Sequence, residues 1–224
     1  PKRHTFGKMT MEVFDETGKS IVKLSPGKSK GMNFVTWNYR MSQPKVAKGK
    51  TLARGGLTSP RVKEGRYNIV INKGRDSFSK PIYVSDDPST NLDSNEKKLK
   101  YETTMKLYNL SEELAYVVYT IDEMLSSDTI KKGVKNKLQT IKESMVITTG
   151  DNYVGTAENE LREDLLDLYS KLASSYDKPS QNDLANLSIV QDEYNGLNSE
   201  YDQSLNRVDL SQMELLTFDE FLKN

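Results

Sequence analysis

Apolar residues recur along this chain at two different periods, and the period changes once, near Pro88. Before it they alternate in twos, the repeat of one face of an extended strand; after it they come in threes and fours, the repeat of a helix lying on a core. Met9, Met11 and Val13 alternate with Thr10, Glu12 and Phe14, which predicts a half-buried strand. The turn residues Asp15-Glu16-Thr17-Gly18 predict a hairpin to a returning strand over 20–24, ended by Ser25-Pro26-Gly27. Residues 31–40 hold the only tryptophan. Val35, Trp37 and Tyr39 share one parity, which predicts a strand with Trp37 in the core. Tyr67, Ile69 and Ile71 predict another strand opened by Gly65. Phe78, Lys80, Ile82 and Val84 complete the set, with Pro81 pointing to a sheet edge because proline cannot donate to a ladder.

Beyond Pro88 four amphipathic stripes follow. The first starts at a cap on Asp93 or Ser94 and runs through Leu107, Leu110, Leu114, Val117, Ile121 and Met124. Ser126-Ser127-Asp128 is expected to end it and to cap a second helix carrying Ile130, Val134, Leu138, Ile141 and Met145. Residues 148–152 read as a loop. Leu161, Leu165, Leu168, Leu172 and Tyr176 give the third stripe, and Ser180 with Asp183 stands at capping-box spacing before the fourth, which has Leu184, Leu187, Tyr194, Leu197, Tyr201 and Leu205. Leu210, Leu215, Phe218 and Phe221 are left to pack back on the helices or on a neighbouring module. The pattern predicts a multidomain α+β chain: a small β-sandwich over 1–88, then an antiparallel bundle of four or more helices over 89–224.

At 224 residues, two small domains are a natural partition. The net charge of zero conceals a division. Residues 1–88 carry 18 Lys+Arg against 7 Asp+Glu, leaving 14 against 25 for the rest, so the two parts bear +11 and −11. One consequence is complementarity between the parts; the other is a basic module aimed at an anionic polymer. The long segment 41–64 concentrates that charge in Lys45, Lys48, Lys50, Arg54, Arg61 and Lys63, and these six are the candidate polyanion-binding residues. A connection of that length is usually functional or mobile. It lacks the interleaved aromatics that stack bases, so no nucleic acid is expected.

Four stretches carry a family resemblance: Met-Glu-Val-Phe-Asp-Glu-Thr-Gly-Lys over 11–19, Gly-Met-Asn-Phe-Val-Thr-Trp-Asn over 31–38, Gly-Arg-Tyr over 65–67 and Asp-Asp-Pro over 86–88. In this order they resemble the immunoglobulin-like domain near the C-terminus of bacterial BNR-repeat, sortilin-like proteins, which are often labelled glycosyl hydrolases. A looser likeness is to the immunoglobulin-like part of flagellar hook-capping proteins. The resemblance extends into the helical half, including the turn at 177–180. It implies an immunoglobulin-like sandwich, an upstream β-propeller in the same parent protein as partner, and a periplasmic or extracellular location. The repeat hallmark Ser-x-Asp-x-Gly-x-Thr-Trp is absent here, so a hydrolase name for the parent does not transfer to this piece. The start at Pro1 is read as that of a processed or cut chain.

Chemistry is sparse in the sequence. There is no cysteine and one histidine, His4, so thiolate, Ser-His-Asp and clustered-ligand metal chemistry lack their residues. Asp86 and Asp87 are adjacent and would face opposite sides of a strand, while Glu112, Glu113, Glu160 and Glu163 read as the wet face of helices. No phosphate-cradling glycine pattern occurs. The tripeptides at 109–111 and 186–188 fit the glycosylation pattern but fall inside predicted helices. No run of roughly 20 apolar residues is present to span a bilayer. The reading is therefore of a chain without an active site, cofactor, metal or membrane insertion: an accessory module that positions or caps a propeller. The alternative is a module binding anionic polysaccharide or another polyanion through 40–66.

Overall fold

The computed structural model describes residues 9–27, 29, 31–149, 159–206, 208–211 and 213–224. His4 and most of the predicted loop at 148–152 lie outside them. The fold is α+β, with a four-stranded antiparallel sheet and five α-helices among the described residues, and the chain divides into two compact units. The first comprises Pro1–Ser42 and Ser59–Asn91, the second Gln43–Thr58 and Leu92–Asn224.

In the first unit β1 (Met9–Asp15), β2 (Ser20–Leu24), β3 (Gly65–Lys73) and β4 (Asp76–Val84) form one sheet in the order β2-β1-β3-β4. The alternation in the sequence decides the register, because a slip by one residue would turn the apolar set to the other face. Met11 stands opposite Ile71 and Ile71 opposite Phe78; Val13 stands opposite Ile69, and Tyr67 opposite Ile82. The β1–β2 turn forms as expected, with Gly18 at φ +83° and the Asp15 carboxylate accepting from the Thr17 and Lys19 amides. Pro81 lies on an edge strand, where its missing N–H leaves no central ladder broken. Val13, Ile21, Met41 and Tyr67 are buried in this unit.

The expected tryptophan strand is absent. Residues 32–38 belong to no strand, and only Arg40 pairs, in an isolated bridge with Arg61. Local side-chain bonds win over the ladder here. Asn33 accepts from the Ser29 amide and donates to the Ser29 and Gly31 carbonyls, and the Trp37 indole N–H donates to the Arg40 carbonyl at 2.8 Å. Trp37 is half-buried, packed edge-on against Tyr67 at 5.6 Å. Its hydrophobic role is met by lying over one end of the sheet, and the described strands make a single sheet.

The second unit is built from α1 (Ser94–Ser126), α2 (Lys132–Met145), α3 (Leu161–Ser174), α4 (Gln181–Leu205) and α5 (Phe218–Lys223). Helix α1 touches each of the others. Leu107, Leu114, Ile121, Leu138, Ile141, Leu165, Leu172 and Tyr194 enter one shared core. Asp93 caps α1 in a capping box with Glu96, and Ser180 does so for α4 with Asp183. The second cap differs from expectation. Ser127 bonds to the Thr129 hydroxyl and amide in a turn of its own, and α2 begins only at Lys132 with no side-chain cap. Tyr176 also leaves its predicted stripe, because α3 ends at Ser174 and the ring is exposed. The last residues pack back as expected: Phe218 and Phe221 meet Tyr116, and Phe221 stacks on Tyr119 at 5.1 Å.

The largest departure is Gln43–Thr58, which belongs to the helical unit and not to the strands that flank it. Ala47 is part of the helical core. The Lys50 amide donates to the Ile147 carbonyl at 2.7 Å, the Tyr169 hydroxyl to the Thr58 carbonyl at 2.7 Å, and the Tyr108 hydroxyl to the Gln43 carbonyl at 3.4 Å. A one-turn 3-10 helix, Arg54–Leu57, rests on α3 so closely that a Cβ on Gly55 would overlap the Leu166 carbonyl. The segment is a strap bound to helices.

Candidate functional site

The strap distributes the six candidate cations. Lys45, Lys48, Lys50 and Arg54 lie in the helical unit, and Arg61 and Lys63 in the strand unit. Lys45 is committed to structure: its ammonium donates to the Phe221 carbonyl and sits 4.5 Å from the Phe221 ring centroid, and its amide donates to Glu112. Lys48, Lys50 and Arg54 are exposed. Arg61 stands opposite Arg40 in the isolated bridge, flanked by the Met41 amide donating to the Pro60 carbonyl and the Val62 amide to the Tyr39 carbonyl, both at 2.9 Å. Lys63 is exposed, and its carbonyl accepts from the Tyr67 hydroxyl at 2.8 Å.

A buried charge that the pattern did not reveal holds the strap to α3. Arg162 is 2% exposed and donates to the Ala47 carbonyl at 2.9 Å, to the Thr51 carbonyl at 3.2 Å, to the Thr51 hydroxyl and to Glu163. Glu163 Oε1 also accepts from the Thr51 hydroxyl at 2.8 Å, while Oε2 is buried without a partner among the described residues. Glu163 is therefore no wet-face carboxylate. In sequence it differs in nothing from its exposed neighbours, since burial comes from a strap more than 100 residues away. Glu112 is likewise half-buried against the strap, while Glu113 stays exposed.

A cavity of about 390 Å³ lies along α3 and α4, lined in part by Asp164, Asp167, Lys171, Asp183 and Ile189. Two of its polar groups, Lys171 and Asp183, are paired with one another. The Lys171 ammonium, 2.6 Å from Asp183, holds that carboxyl below the usual carboxylate range, and the Ser180 hydroxyl and amide assist. Asp86 and Asp87 lie past β4. Asp87 closes a turn by accepting from the Ser89 amide at 2.8 Å and its hydroxyl at 2.7 Å, which lowers its pKa. No group of three or more His, Asp or Glu suited to a metal occurs among the described residues. No described helix is long and apolar enough to cross a membrane.

The stretch between β2 and the strap presents the opposite picture, of side chains turned away from folding. The loop pinned by Asn33 carries Met32 and Phe34 outward, 81% and 86% exposed. A few residues on, Tyr39 has φ +56°, the left-handed region that an aromatic residue rarely enters. The residue is 56% exposed, and its ring meets that of Trp37 edge-on at 5.3 Å. Sequence parity had placed Trp37 and Tyr39 together on one core face; a positive φ at a non-glycine residue leaves no such trace.

Comparison with known proteins adds no relative. No protein-family model matches the chain, no curated protein does, and no solved structure does.

Proposed function

We propose that this chain is a non-catalytic accessory module whose work is to dock, through its first unit, on a neighbouring module. The finer architecture in this reading is an immunoglobulin-like sandwich joined to an antiparallel helical bundle. The neighbour is the propeller of a secreted or periplasmic bacterial BNR-repeat protein, from whose C-terminal region this chain comes. The observation that carries the reading is the exposure of Met32 and Phe34 on a loop whose Asn33 side chain bonds back to Ser29 and Gly31. Two large apolar side chains exposed close together are of use in an interface, where a few such anchors supply most of the binding energy.

The test begins with the encoded sequence preceding Pro1, which in this reading holds propeller repeats. That polypeptide, expressed separately, binds the chain, and the Phe34→Ser variant binds at least about tenfold more weakly at unchanged melting temperature. A preceding sequence without propeller repeats, or equal binding by the variant, overturns the reading.

A second reading, a module for anionic polysaccharide, draws support from the exposure of Lys48, Lys50 and Arg54. Affinity then falls steeply with salt as counterions are released.

A further inference from the structure

We propose that the outer side of the strap is a contact surface for an anionic lipid bilayer, with Leu52 and Leu57 entering the headgroup region and Lys48, Lys50 and Arg54 meeting lipid phosphates. The inference takes its cations from the polysaccharide reading and departs from it in the partner.

The first ground is that the strap has two unlike sides. Its inner side is spent on the helical unit. Ala47 lies in the core, Gly49 faces the Arg162 guanidinium so closely that a Cβ would overlap it, and the Thr51 carbonyl and hydroxyl accept from Arg162. Ala53 packs on the core, and Gly55 lies against the Leu166 carbonyl. The residues between them, Lys48, Lys50, Leu52 and Arg54, are all exposed, Leu52 to 77%, and Leu57 follows at 69%. Beside Leu57 the packing beneath the strap is already full, since a Cβ on Gly56 would overlap the Val46 side chain.

The second ground is charge. Residues 43–58 hold four cations and no Asp or Glu. Lys45 is engaged with Phe221, whereas the side chains of Lys48, Lys50 and Arg54 have no partner among the described residues. The carboxylate that the strap meets on α3, Glu163, is taken by Arg162 and by the Thr51 hydroxyl. Three unneutralised cations therefore stand in one short stretch with two exposed leucines.

The third ground is that this combination selects the partner. A hydrated polysaccharide gains from the cations and nothing from the leucines, and residues 43–58 offer no aromatic face for a sugar ring. An amphipathic peptide helix needs a groove for its apolar side, and no strap residue lines the cavity along α3 and α4. The edge of an anionic bilayer uses both features: leucine side chains enter the boundary between headgroups and acyl chains, and Lys and Arg lay their stems beside them with the charge at the phosphates. Such contact is peripheral and needs no spanning segment.

The experiment floats the full chain with vesicles of phosphatidylcholine, alone or with about one-third phosphatidylglycerol, and measures soluble polygalacturonate binding in parallel. The chain is expected to bind the anionic vesicles, more weakly as salt rises, and to leave the neutral ones largely unbound. Leu52→Ser/Leu57→Ser keeps the cations and the melting temperature, and lowers vesicle affinity at least about tenfold. Lys48→Gln/Lys50→Gln/Arg54→Gln lowers it about a hundredfold. Because the chain has no cysteine, a polarity-sensitive dye on Leu52→Cys reports insertion directly, and its emission is expected to move to shorter wavelength on anionic vesicles. Equal vesicle binding by the leucine variant, or an unmoved dye on bound chain, overturns the inference. Binding of polygalacturonate without binding of vesicles also overturns it and leaves the polysaccharide reading standing; binding of neither overturns both.

Discussion

Arg162 and Glu163 occupy neighbouring positions in the first turn and a half of α3, and the strap converts them from surface charges into a buried pair. Removing one member of such a pair strands the other charge, whereas replacing both with apolar groups of similar volume is often neutral. Arg162→Met is therefore expected to destabilise by about 3 kcal/mol or more, and Arg162→Met/Glu163→Leu by less than the single change. Denaturant unfolding of the two variants checks this, with a double variant at least as damaged as the single one speaking against it. Gly55 sits at the other contact of the strap. Gly55→Ala forces the strap off the Leu166 carbonyl and lowers stability by about 1–3 kcal/mol, the range for overpacking. At the start of α4, Asp183 has a pKa held down by Lys171 and Ser180. A carboxyl depressed by folding contributes stability that is present above its unfolded pKa, about 4, and is lost as pH falls through the folded value. Asp183→Ala should accordingly cost about 1 kcal/mol at neutral pH, the usual worth of a cap, and flatten the decline of stability with acid below about pH 4. Thermal unfolding across that range measures both effects.

At the scale of elements, α5 is too short to be helical by itself and depends on docking. Its Thr217–Glu220 capping box starts it, and Phe218 and Phe221 seat it on Tyr116 and Tyr119, with Lys45 from the strap over the Phe221 ring. Phe221→Ala is expected to lower stability by about 1–2 kcal/mol, less than a fully buried Phe because the ring is half-exposed. Hydrogen exchange should show the loss concentrated in α5 and spared in α2. The helical half was legible because its periodicity is long and its caps are local: Asp93 with Glu96 and Ser180 with Asp183 can be read three residues apart. The sheet was legible for the same reason, down to Pro81 on the edge. The strap was not. Those of its apolar residues that turn inward, Pro44, Val46, Ala47 and Ala53, follow neither period, because a chain that crosses helices obliquely meets the core at irregular intervals. The Trp37 strand was misread in the opposite sense: the alternation is present, but Asn33 and the indole N–H take bonds that a ladder would need.

For the whole molecule, the consequence of the strap is that the chain passes from the first unit to the second near residue 43, returns near 59 and passes again near 92. A cut at Pro88, where the periodicity changes, separates the helices from a piece of their own core. The chain thus crosses between the two units three times, and in the first unit the stretch 31–40 holds Met32, Phe34 and Tyr39 exposed, which is the surface proposed to meet a partner. Hydrogen exchange on the full chain, free and mixed with the polypeptide encoded before Pro1, tests this most directly. Protection is expected to rise over 31–40 and to stay level on α2 and α4; protection rising on the helices while 31–40 is unchanged would contradict the assignment of this stretch as the interacting surface.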